Sequence, residues 1–277
     1  MYTFICENSI DGIFTGVYDA WASRFGHRNV RLTTKEPANY ELFQEYITVA
    51  TSDIKSRKVA RTLWQRLGAA VYESLCQAIL ADEQTAGRSR LDKADCIYRT
   101  IVLGLSMPDG SKVLQALGEP YVHRVFELNR ATACETHHYL GFLRFSELEN
   151  GVLFSPIHPK NHVLPILGAH FTDRLPLENF LIYDGNRALA AVHKSGSDFL
   201  IADASDLDQD IIKRYSGKEL EYRKLWCGFF DSIAIDARCN PPLQQQNMPK
   251  RFWKDTIEKA ASVNEGTAVS HSVSSPL

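Results

Sequence analysis

The stretch NFLIYDGNRALAAVHKSGSDFLIAD, residues 179–203, reads as three short strands. The first two flank the turn Asp184-Gly185-Asn186, and DFLIAD forms the third. Just upstream, LGFLRFSELENGVLFSPI (140–157) gives two more strands around Glu149-Asn150-Gly151. NHVLPILGAHFTDRL (161–175) reads as a helix with Pro165 in its first turn. Residues 140–202 are therefore expected to form an antiparallel sheet with an inserted helix. The sheet is followed by SGKELEYRKLWCGFFDSIAI (216–235), where Ser216 and Glu219 have capping-box spacing. Tyr222, Leu225, Trp226, Phe229, Phe230 and Ile233 form one apolar stripe there, which is expected to pack the core.

The N-terminal part reads differently. YTFIC (2–6) and EYITVATS (45–52) are strand-like and bracket a helix in DGIFTGVYDAWASRF (11–25). Residues 52–82 and 91–105 carry helical periodicity, with Gly68 a possible break and the PDGS turn at 108–111. Glu119 to Tyr139 is helical again. The fold class expected is α+β: an N-terminal α/β and helical region over 1–118, then an antiparallel sheet packed by helices over 119–258. Both parts are expected to pack as one unit. The polar segment 259–277 reads as a disordered tail.

At 277 residues with 44% hydrophobic and 23% charged residues, the composition is that of a soluble globular chain. A net charge of −2 gives no global basic field, so nucleic-acid contact would need a local patch. No apolar run reaches membrane-span length, and the N-terminus lacks the pattern of a signal peptide. The six cysteines are scattered without C-x-x-C or Cys/His ligand spacing, which suits reduced thiols and a cytoplasmic location. His158, His162 and His170 do not have zinc-site spacing, and DASDLDQD (203–210) lacks the Gly and Glu of a calcium loop. No phosphate-binding Gly-rich loop, dinucleotide fingerprint or nucleophile elbow occurs. Neither a metal nor a cofactor is expected.

Polar residues fall on faces that should be apolar. In the helix around 122–140, Val122, Val125, Phe126, Ala133 and Leu140 define one face, with Asn129 and His137 inside its arc and Arg130 at its edge. Arg124, Glu127, Glu135 and His138 lie opposite. In the helix 161–174, His170 and Arg174 fall within the arc of Val163, Ile166, Leu167 and Phe171. Arg144 reads as a strand residue between apolar neighbours, and Asp184 and Arg187 flank the hairpin turn. Two readings stay open. One is a buried polar network that fixes the fold. The other is a pocket in which His137 and His170 are acid/base candidates and Arg144, Arg174, Asp184 and Arg187 surround an anionic group.

A second lead is DARCNPPLQQQNMPKRFWKD (236–255). Arg238, Gln244, Gln246, Lys250 and Arg251 combine charge with amide groups beside Phe252 and Trp253, a mixture suited to a nucleic-acid backbone with exposed bases. Phe252 and Trp253 are expected to anchor the segment on the aromatic helix before it.

These motifs resemble a bacterial family of unknown function described as a "DNA metabolism protein". The resemblance rests on ETHHYLGFLRF (135–145), HFTDR (170–174), IYDGNR (182–187), LWCGFF (225–230) and RCNPPLQQQNMPKRFW (238–253). It implies a DNA-linked role beside a radical SAM protein of DNA modification or repair; some relatives are fused to a uracil-DNA glycosylase-family domain. The function expected is a DNA-associated accessory protein with DNA and a radical SAM protein as partners. The alternatives are an enzyme acting on damaged or modified nucleotides, and a structural adaptor without chemistry.

Overall fold

The computed structural model describes residues 1–36, 42–84, 86–87, 89, 91–208 and 210–259. The tail expected over 259–277 lies, but for Lys259, outside the described residues. Sheets of three and five strands with helices around them make a mixed α/β fold. The chain divides into two compact units: Met1–Glu135 with Lys160–His162, and Thr136–Pro159 with the residues from Val163 onward. The division thus falls inside a helix, at 135/136.

In the first unit, β1 (Tyr2–Ile5) is the central strand, parallel to β2 (Val30–Thr33) on one side and β3 (Glu45–Thr48) on the other. The sequence reading did not include β2, although VRLT alternates buried Val30 and Leu32 with outward residues as a half-buried strand does; at four residues it is short for a periodicity signal. Between β1 and β2 runs α1 (Ile10–Ala22), capped by Ser9, whose side chain accepts from Gly12 N at 2.9 Å. The helical block follows as α2 (Asp53–Leu67), α3 (Ala69–Leu80) and α4 (Lys93–Ser106). Gly68 separates α2 from α3 with φ of +90°, a conformation that favours glycine. Ile13, Phe14, Leu63, Leu75, Ile97 and Val125 belong to one continuous buried cluster.

Two buried cations hold the ends of this block. Lys93 Nζ donates to Ile79 O at 2.7 Å and Ala81 O at 2.9 Å, covering carbonyls left free where α3 ends. Burial lowers the Lys93 pKa from 10.5 to about 8, against the opposing pull of Glu83, Asp82 and Asp92. Arg124, fully buried, donates to the carbonyls of Ala86 and Glu83. Arg124 was expected on the solvent side of its helix.

That helix is α5 (Pro120–Phe142), and its buried stripe is not the one apolarity marks. Val122, Val125, Leu128, Thr132, Glu135 and Tyr139 are buried, whereas Phe126, His137 and Leu140 are exposed. Glu135 stays inside because it accepts from Lys160 N (3.1 Å), Asn161 N (2.7 Å) and Asn161 Nδ2 (2.7 Å). A carboxylate so satisfied can be buried, while an unpaired one could not.

The second unit contains β4 (Ser146–Glu147), β5 (Leu153–Ile157), β6 (Phe180–Asp184), β7 (Leu189–His193) and β8 (Leu200–Asp203), in that spatial order. Three of the four pairings are antiparallel, with the hairpins around 149–151 and 185–188 as the sequence suggests. The β5–β6 pair is parallel, since α6 (Leu164–Arg174) carries the chain back between them. The inward arc of α6 is Leu164, Leu167, Gly168 and Phe171. Gly168 belongs to it because a Cβ there would come within 2.5 Å of the Phe199 ring. The arc is therefore shifted from the one drawn through Ile166, and His170 and Arg174 stand exposed.

The largest departure is α7 (Gly217–Ser232). Its Ser216 side chain caps it by accepting from Glu219 N, but the reciprocal half of the capping box does not form: Ser216 N donates to Glu147 O, and Glu219 Oε2 accepts from Glu147 N. Its apolar stripe, however, faces outward: Tyr222 is 66%, Leu225 67% and Phe229 54% exposed. Polar contacts are made on its half-buried side. Arg223 donates to Glu219 Oε1 (2.8 Å) and Ser146 Oγ (2.6 Å) and lies over the Tyr215 ring.

Candidate functional site

The C-terminal run folds as α8 (Pro241–Asn247) between 3-10 turns at Asp236–Arg238 and Lys250–Asp255. Asn240 caps α8 by accepting from Leu243 N at 3.2 Å, and Pro241 opens its first turn. Phe252 in the last turn is 1% exposed. Its ring packs edge-on to Tyr139 at 5.0 Å and against His138 and Phe142. The anchor is thus the end of α5, not the aromatic helix α7. Trp253 closes the turn by donating Nε1 to Met248 O at 2.9 Å.

This docking places α8 beside the last turns of α5. A cleft of about 590 Å³ opens there, lined by His137, His138, Leu140, Gly141 and Phe142 from α5 and by Gln246 and Asn247 from α8. The His138 and Phe142 rings lie near-parallel, 13° apart with centroids at 5.7 Å. Two amides therefore stand near an aromatic surface. Arg238, Gln244, Lys250 and Arg251 are exposed on the same C-terminal segment.

The other sequence candidates are distributed differently. His170 and Arg174 occupy the exposed face of α6 and do not line the cleft. Arg144 is not on a strand; it lies just past α5 and donates to Gly141 O (2.9 Å) and Leu143 O (3.2 Å), with Glu258 at 3.7 Å. A cation capping terminal carbonyls in this way complements the helix dipole. Asp184 is wholly buried and accepts from Asn186 N, Arg187 N and Arg187 Nη1, the last at 3.0 Å. Arg187 and Asn186 both also donate to Pro159 O. For Asp184 and Arg187 the geometry is thus that of a polar network fixing a turn and a loop.

One arrangement was not legible in the sequence. His158 Nδ1 lies 2.8 Å from Asp255 Oδ1, with the Tyr139 hydroxyl 3.5 Å from Oδ2 and accepting from His158 N at 3.2 Å. A carboxylate only accepts, so Nδ1 carries the proton and Nε2 keeps a lone pair in the neutral ring. Nε2 faces Gly185, where a Cβ would come within 2.7 Å of it. Residues 158 and 255 are far apart in the chain, and no spacing rule could have joined them.

The buried thiols do not suit nucleophilic work. Burial pushes Cys6 and Cys96 from 9.0 up to about 12 and Cys76 to about 11, which keeps them protonated at neutral pH. No helix among the described residues is long and apolar enough to cross a membrane.

The fold and the cleft define a mixed α/β protein of two compact units, the second bearing an aromatic and amide-lined cleft. The chain belongs to the family of the domain of unknown function DUF4130, whose model matches residues 91–258, more than half of its length. No curated protein matches it.

Proposed function

We propose that the chain is a DNA-associated accessory protein in DNA modification or repair that acts with a radical SAM partner. The observation that carries the DNA part is the cleft, where His137, Gln246 and Asn247 adjoin the near-parallel His138 and Phe142 rings. Unpaired bases are held by stacking on aromatic faces and by amide hydrogen bonds to their edges, with cations tracking the phosphates. Lys250 and Arg251, exposed just after α8, supply charge that the whole chain lacks. The radical SAM partner rests on the family resemblance alone. The test is anisotropy titration of single-stranded and duplex oligonucleotides. Binding should weaken as salt rises. His137→Ala with Gln246→Ala should weaken it further without lowering Tm, since both side chains are exposed. Absence of binding at low salt, with and without the radical SAM protein, would overturn the proposal.

The His158–Asp255 pair favours a second reading, an enzyme acting on damaged or modified nucleotides. An imidazole oriented by a carboxylate through Nδ1 has Nε2 available as a general base. His158→Gln should then abolish turnover of a damaged oligonucleotide while leaving its binding intact. Full activity in that variant would remove the role from His158.

A further inference from the structure

The first unit has a cleft of its own that the C-terminal segment does not explain. About 570 Å³ lies open where α1, α2 and α4 face one another, a volume usual for small-molecule sites, which run from about 300 to 1,000 Å³. Its floor is apolar and buried: Val17, Val59, Leu63 and Ile101. Tyr18 and Trp21 add aromatic surface from α1, and Trp21 is exposed at 43% although large and apolar.

The polar lining has one sign. Lys58 and Arg66 line the cleft, and no acidic side chain does among the described residues. The nearby Asp19 is already paired with Lys55 at 2.7 Å. Lys58 lies over the Tyr18 ring at 5.6 Å, so charge and aromatic face already adjoin. Lys58 and Arg66 are two turns apart on α2, about 12 Å along its axis. A cation thus stands towards each end of an apolar trough. Most exposed lysines and arginines on a helix are only solvated. Here they stand exposed at the border of an apolar hollow, so an anionic head can pair with either while staying hydrated and its apolar body fills the hollow.

We propose that this cleft is a binding site for an amphipathic organic anion, its apolar body on the floor of the trough and its charge at Lys58 or Arg66. A mononucleotide and an aliphatic carboxylate share that chemistry. The site is independent of the DNA reading, because every lining residue belongs to the first unit.

The test uses the full chain and a matched pair of fluorescent probes. Anilinonaphthalene sulfonate carries the anion, and N-phenylnaphthylamine has a similar aromatic body without it. The sulfonate should bind about tenfold or more tightly than the neutral probe. Lys58→Glu with Arg66→Glu should erase that preference, and Ala22→Trp, which fills the lining from an exposed position, should remove binding of both. Leu225→Glu with Phe229→Glu on α7 should change neither, which separates this cleft from the exposed apolar face of α7. Circular dichroism melts check that each variant is folded. Competition by deoxyadenosine monophosphate or by decanoate then says which source of the anion fits. Equal affinity for the two probes, or unchanged binding in Ala22→Trp, would overturn the proposal.

Discussion

Replacing Phe252 by alanine would empty a space bounded by His138, Tyr139 and Phe142. Loss of a buried Phe ring costs about 3–5 kcal/mol. Thermal or urea unfolding should show that loss, and it should be accompanied by loss of the cleft, because the same ring sets α8 against α5. A Phe252→Ala variant with unchanged midpoint would mean the turn is not anchored there. At this scale the sequence was partly legible. Phe252 stood out as too apolar for a loose tail, but its partner was assigned to α7. His137 and His138 show the limit of periodicity. The pattern put His137 inside and His138 outside, and the reverse holds because Thr132, Glu135 and Thr136 occupy the buried stripe. A carboxylate can be inward only when a partner exists. That partner, Asn161 for Glu135, comes from a distant loop.

Among the elements, α7 is the instructive case. Its stripe of Tyr222, Leu225, Trp226, Phe229, Phe230 and Ile233 has the spacing of a core helix, yet all but the half-buried Phe230 are exposed. Amphipathicity reports that a face is fit for burial, not that the unit buries it. Leu225→Glu with Phe229→Glu should therefore leave the unfolding free energy within about 0.5 kcal/mol of the parent chain, as surface substitutions do. A loss of several kcal/mol, measured by urea titration, would show that the stripe is covered in solution. The sheet was read more fully, with both hairpins anticipated. The parallel β5–β6 pair was not, because strand direction follows from the path of α6 rather than from either strand.

For the whole molecule, the titration of buried groups makes stability depend on pH in a defined way. Lys93 has its pKa lowered from 10.5 to about 8. Between those values the unfolded chain binds the proton more tightly, so stability rises with pH. Cys6, Cys76 and Cys96 are raised from 9.0 to about 12, 11 and 12. Above pH 9 the native state keeps these protons while the unfolded chain loses them, so stability falls with pH. Three thiols outweigh one amine. Urea midpoints should change little from pH 8 to 9, where the amine and the thiols nearly offset one another, and fall from there towards pH 11. Lys93→Met, without the amine's contribution, should already fall between pH 8 and 9. A midpoint that climbs steadily to pH 11 would contradict this account.

The sequence by itself determined the mixed α/β class, the break at Gly68, the hairpin turns and the Ser216 cap. All of these are local, set by propensity, turn chemistry and spacing within a few residues. Tertiary structure alone decided which faces are buried, where the two units divide, and which side chains meet. His137 with Gln246 and His158 with Asp255 are each brought together across about a hundred residues. Such pairings depend on how elements dock, and docking is settled by packing and by satisfied polar groups that no single segment contains.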